Sequence, residues 1–133
     1  MVASGVMPVQ LTHNGGVKAV ESFDGRTIFF SKDSGAGSIW KMPVEGGPET
    51  LLVPSLFFLN FALGKQGIYF MTAAGEDSTA RLKFYNFGSG STSTISSIGH
   101  PEFGLDVSPD GRYLIYAQLD DAGSNLMLVE NFH

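Results

Sequence analysis

The sequence predicts an all-β fold: three four-stranded propeller blades, a half-propeller, with the last blade completed by an N-terminal strand. Three observations predict it. Phe23-Asp24-Gly25-Arg26-Thr27-Ile28-Phe29-Phe30 returns as Pro109-Asp110-Gly111-Arg112-Tyr113-Leu114-Ile115-Tyr116, which sets Gly25 and Gly111 86 residues apart, two periods of 43. A repeat of that length is the size of a propeller blade. A second register keeps the same count, because Ile39, Leu82 and Leu126 stand 43 and 44 residues apart within similar apolar strands. Finally, 17 glycines beside only 16% charged residues favour short strands and tight turns over helices.

The elements follow from that frame. In the first repeat, 18–23 reads as a strand that enters an Asp-Gly corner, where both residues tolerate positive φ. Strands over 27–31, 38–44 and 49–53 follow, separated by polar or glycine-rich turns such as Glu45-Gly46-Gly47-Pro48. The second repeat offers 59–63, 68–72, 82–87 and 92–98, its corner reduced to Gly64-Lys65-Gln66-Gly67. The third gives 104–108, 113–119 and 125–130 and no fourth strand, while 9–12 at the other end is a strand with no repeat of its own.

The blades therefore span approximately 18–53, 59–98 and 103–132 of a single domain, 1–133. Three blades fall short of a ring, since propellers have about four to eight. Two arrangements close it: upstream blades of a longer chain, or a homodimer. In the second, two copies meet head to tail in a six-bladed ring, and strand 9–12 of each completes the last blade of the other, covering an edge open to stray pairing. Leu11, Leu126 and Leu128 are the interface candidates there. Phe57 and Phe58 join them, because the apolar run Leu56-Phe57-Phe58-Leu59 cannot all face one side of a strand.

Composition removes several function classes. A net charge of −5 with scattered Lys and Arg leaves no footprint for a phosphate backbone, so no nucleic acid partner is expected. The longest apolar stretch, 51–63, is interrupted by Pro54 and Asn60 and is too short to span a bilayer, so no membrane association is expected. Residues 1–7 lack the basic start and apolar stretch of an export signal. With no cysteine there is neither a disulfide framework nor a thiolate metal site, and the compartment stays open.

Ser108-Pro109-Asp110-Gly111-Arg112-Tyr113-Leu114-Ile115-Tyr116 resembles the repeat signature of TolB-type, WD40-like bacterial β-propellers, and the likeness extends over all three repeats. Ser38-Ile39-Trp40-Lys41-Met42-Pro43-Val44-Glu45-Gly46-Gly47 and Leu126-Met127-Leu128-Val129-Glu130-Asn131-Phe132 are similar to the C-terminal propeller of multidomain regulators. There the propeller follows a winged-helix or serine/threonine kinase domain. The resemblance implies a sensory or protein-binding module, and it is specific for fold more than for ligand.

The candidate chemistry is sparse. Asp24, Gly25, Asp110 and Gly111 are structural turn residues, the carboxylates bonding their own corner. The loops 33–38, 75–79 and 120–125 are rich in oxygen but lack the alternating carboxylate spacing of a calcium loop, so no metal is expected. His13, His100 and His133 stand beside turns or termini with no nucleophile elbow or metal-binding helix near them, so neither catalytic residues nor a cofactor is expected. The leading reading is a non-enzymatic module that binds a protein or small ligand. The alternatives are the propeller fragment of a prolyl-oligopeptidase-type hydrolase and a purely structural, self-assembling half-propeller.

Overall fold

The computed structural model describes residues 8–13, 15–32, 37–72, 79–120 and 123–130. They form three antiparallel sheets of consecutive strands. Blade 1 contains β1 (Lys18–Glu21), β2 (Thr27–Ser31), β3 (Gly37–Pro43) and β4 (Thr50–Leu56), paired in that order. Blade 2 repeats the order with β5 (Phe61–Leu63), β6 (Gly67–Met71), β7 (Thr79–Asn86) and β8 (Thr92–Gly99). Blade 3 has three strands, β9 (Pro101–Val107), β10 (Tyr113–Asp120) and β11 (Gly123–Glu130).

Most strands differ from their sequence-based bounds by one to three residues, and for two of them the reason is clear. β4 runs through Pro54, where the expected strand stopped, because it is the edge of its sheet and the missing N–H interrupts no inner ladder. β5 begins at Phe61, because a turn occupies the residues before it: Asn60 donates its N–H to the Phe57 carbonyl at 3.0 Å, and Phe58 takes a φ of 50°. That turn divides the apolar run. Leu56 is buried, Phe57 packs into the seam between blades 2 and 3, and Phe58 turns outward with its ring edge against Phe57.

The core is two seams between sheets. Phe29, Ile39, Val53 and Leu56 of blade 1 meet Phe61, Ile68 and Phe70 of blade 2. Met71, Ala80, Leu82 and Ile98 of blade 2 meet Leu114 of blade 3. β6 feeds both, which is why Ile68-Tyr69-Phe70-Met71 is an unbroken apolar run: Ile68 and Phe70 face one neighbour, Tyr69 and Met71 the other. β11 is the opposite case, apolar at Leu126, Met127 and Leu128 yet exposed along nearly its whole length.

Among the described residues, 9–12 carry no ladder. A strand exists only beside a partner, and the open edge of β11 lies at the far end of the stack with blade 2 between. The N-terminal segment instead lies over blade 1, where Val9 and Leu11 line a cleft of about 240 Å³ with Ile28, Phe30 and Met42.

Candidate functional site

The two Asp-Gly corners share the same set of hydrogen bonds. In the first, the Ser22 hydroxyl donates to Asp24 Oδ1 at 2.6 Å, the Arg26 N–H donates to the same oxygen at 3.0 Å, and the Thr27 N–H donates to Ser22 Oγ at 3.0 Å. In the second, Ser108 donates to Asp110 Oδ1 at 2.7 Å, Arg112 N–H to that oxygen at 3.0 Å, and Tyr113 N–H to Ser108 Oγ at 3.0 Å. Gly25 and Gly111 have φ of 72° and 73°, the left-handed region glycine enters without steric cost. The serine two residues ahead of each Asp is part of the corner, a member the Asp-Gly pairs alone do not reveal.

Both carboxyl groups are fully exposed and held below the ordinary carboxylate range, first by the serine hydroxyl and then by the arginine N–H. A folded-state pKa below the unfolded one gives stability that is present above the unfolded value and lost as pH falls through the folded one. The melting temperature is therefore expected to fall as acidification passes below the usual Asp range. In Asp24→Asn/Asp110→Asn that acid-side slope should flatten, which a series of thermal melts across pH would show.

Around these corners lies the candidate binding face. A cleft of about 420 Å³ opens between blades 1 and 2, walled by Phe23, Lys41, Lys65, Tyr85 and Phe87, with Phe29 beneath. Phe87 stacks on Phe29, their ring centroids 5.3 Å apart and their planes 16° from parallel. A second cleft of about 470 Å³ lies between blades 2 and 3 and takes in Tyr69, Gln66 and Asp110. Phe23, Leu63 and Lys65 line both, and Phe23 is 66% exposed where the two join. An aromatic surface flanked by two lysines and two corner carboxylates can hold an apolar group and orient a polar one attached to it.

Side chains that cross the seams position this face. Lys18 on β1 donates to the carbonyls of Leu59 and Phe61 at 2.9 and 2.8 Å, its ammonium 4.4 Å from the Phe61 ring centre. Burial pushes its pKa down, and Asp106 partly opposes that. Asn60, only 1% exposed, donates to the Glu102 carbonyl at 2.8 Å and accepts the Gly104 N–H at 2.8 Å. The two clips act on equivalent main chain, since Glu102 and Gly104 stand 43 residues after Leu59 and Phe61. Neither residue stood out as functional in the sequence. The available signal was Asn60, a polar break in an apolar run.

The other expected residues separate. Leu126 and Leu128 are exposed on blade 3, Leu11 is half-buried over blade 1, and Phe57 belongs to a seam. His13 and His100 are exposed, and His133 lies outside the described residues. Each of the oxygen-rich loops lies partly outside them as well. Trp40 is half-buried under the Lys32 ammonium, which sits 3.8 Å from its ring centre, and donates its indole N–H to Ser38 Oγ.

No family model matches the sequence, and no curated protein is significantly similar to it. Among solved structures the chain is similar to TolB from Acinetobacter baumannii, with a TM-score of 0.72 and 17% identity over 92% of this chain and 32% of that one. It is similar also to the β-propeller domain of the Trilobed protease from Pyrococcus furiosus, with a TM-score of 0.52 and 13% identity over 78% of this chain and 34% of that one. A structure of prolyl endopeptidases gives a TM-score of 0.55 and 14% identity over 88% of this chain and 20% of that one. The chain thus spans about a third or less of each. Its fold is that of a TolB-type β-propeller, of which the described residues supply three blades.

Proposed function

We propose that this chain is a non-enzymatic propeller module that binds a protein or small ligand on its corner face, as the sensory or interaction part of a bacterial regulator. The observation that carries the reading is Phe23, a large apolar side chain left 66% exposed at the junction of two clefts. Exposing a phenyl group is unfavourable by about 25 cal/mol per Å², and an aromatic rim with few polar groups is what ligand sites present. The lysines at positions 41 and 65 favour a carboxylate on that ligand.

A fragment library of aromatic carboxylates, titrated into the isotope-labelled chain and followed by NMR, tests this. Amide shifts should cluster at Phe23, Leu63 and Lys65 and disappear in Phe23→Ser. Shifts scattered elsewhere, or rapid turnover of a chromogenic prolyl peptide by the chain alone, would refute the reading.

A second reading is favoured by the likeness to protease and prolyl endopeptidase propellers. In it the chain is the propeller of a prolyl-oligopeptidase-type hydrolase, whose Ser, His and Asp belong to another domain. A hydrolase frame beside this one in the genome would support it, and a winged-helix or kinase frame would support the first. A self-assembling half-propeller with no ligand is the third reading, and it predicts no clustered shifts at all.

A further inference from the structure

Blade 2 breaks the corner rule that blades 1 and 3 obey. In those two the link between the first pair of strands has five residues, 22–26 and 108–112, whereas in blade 2 it has three, Gly64-Lys65-Gln66. The short corner is well made. Gly64 donates its N–H to the Gly67 carbonyl at 2.8 Å, and Phe87 donates its N–H to the Gln66 carbonyl at 2.9 Å, which ties the corner to the turn between β7 and β8. A Cβ on Gly64 would come within 2.9 Å of the Tyr69 ring, so the corner is drawn down against its own sheet.

The lowered corner joins two clefts into one groove. Phe23, from the first corner, reaches across it and lines the cleft between blades 2 and 3 as well as the one between blades 1 and 2. Asp24 stands in the first cleft and Asp110 in the second, and Lys65 lines both. Lys65 holds the place in the repeat that belongs to Ser22 and Ser108, 43 residues to either side. A cation thus replaces the serine that fastens a carboxylate in the other two corners. Among the described residues Lys65 forms no ion pair. Lys41, the other lysine of this face, shares its cleft with Asp24.

We propose that the groove takes an extended peptide carrying an acidic side chain between two apolar ones, the acid on Lys65 and one apolar group in each cleft. This names the ligand of the corner face and rests on that reading. Neighbouring sheets pack about 10 Å apart, and an extended chain advances about 13 Å over four residues with every second side chain on one face. Apolar residues at i and i+4 therefore reach the two clefts, and residue i+2 falls on the corner between them. The first cleft, about 420 Å³, offers Phe29 and Phe87; the second, about 470 Å³, offers Tyr69 and Val107. A small rigid acid fills one cleft and leaves the other open.

Fluorescence anisotropy of a labelled, end-capped peptide, Ser-Phe-Ser-Glu-Ser-Phe-Ser, titrated with the intact chain tests this. Replacing either phenylalanine of the peptide by serine should weaken binding about tenfold. Replacing its glutamate by glutamine should weaken it about two- to fivefold, the size of an exposed ion pair. That second loss should vanish in Lys65→Gln and persist in Lys41→Gln, as a direct pairing requires. Lys65 is exposed, so its variant should keep the melting temperature of the unmodified chain. If it does not fold, the three peptide substitutions on the unmodified chain still decide.

A peptide that binds no better than its single-phenylalanine forms, or a glutamate preference unchanged in Lys65→Gln, would overturn the proposal. The fragment titration separates the two levels of the reading. Fragment shifts at Phe23, Leu63 and Lys65 without the peptide gain overturn the two-cleft mode alone, and the absence of those shifts overturns the corner face with it.

Discussion

Asn60→Ala is expected to destabilise the chain by about 2 to 4 kcal/mol. The side chain is buried and bonded through both its amide atoms to β9 of the neighbouring blade, and its nitrogen also approaches the Met71 sulfur at 3.3 Å. Truncation leaves the Gly104 N–H and the Glu102 carbonyl facing a small apolar void. A buried polar group left without its partner costs about 1 to 3 kcal/mol, and here two are orphaned. Urea unfolding of the purified variant measures the loss. A change below about 0.5 kcal/mol would mean that water or relaxation of β9 replaces the clip.

The second large effect belongs to Gly67, at the start of β6. A Cβ there would lie 1.9 Å from the Tyr85 carbonyl oxygen and 2.6 Å from Cζ of Phe84. The first of these atoms is backbone of the paired strand, so relief requires β6 and β7 to part in the blade that serves both seams. Overpacking a tight site costs about 1 to 3 kcal/mol and occasionally more, and Gly67→Ala is expected at or beyond the top of that range. Gly111→Ala makes the control, because nothing lies within 4 Å of its Cβ and only the φ of 73° is strained. That strain is worth about 1 to 2 kcal/mol. The two melting curves should be well separated, with Gly67→Ala the lower, and the reverse order would contradict the packing described for β6.

The propeller was legible because its information is periodic. The Asp-Gly corners, the apolar strands and the Ile39, Leu82, Leu126 series each repeat the demands of one seam, and those demands are local to a blade. What crosses between blades was not legible. Lys18 and Asn60 act on main chain more than 40 residues away; the neighbours of Lys18 do not distinguish it from a surface lysine, and the apolar run around Asn60 marks a polar break without naming its partner. The corner face escaped for the same reason, since Phe23, Lys41 and Lys65 come from different hairpins. Phe57 and Phe58 show how a single backbone angle decides fate: the turn at Phe58 sends one ring into a seam and its neighbour toward solvent. The segment 9–12 reads as a strand by pattern, but pattern supplies no partner, and among the described residues it pairs with none.

All of this depends on three blades stacked in one repeating frame, with each seam crossed by a polar side chain at the equivalent place. The most direct test is a set of through-space proton contacts in solution between the Asn60 side-chain amide and the Gly104 backbone amide, and between the Lys18 side chain and the Phe61 ring. The stacked frame predicts both contacts, with the Gly104 amide strongly protected from exchange. Absence of both contacts, with the Asn60 amide exchanging as freely as a surface side chain, would contradict it.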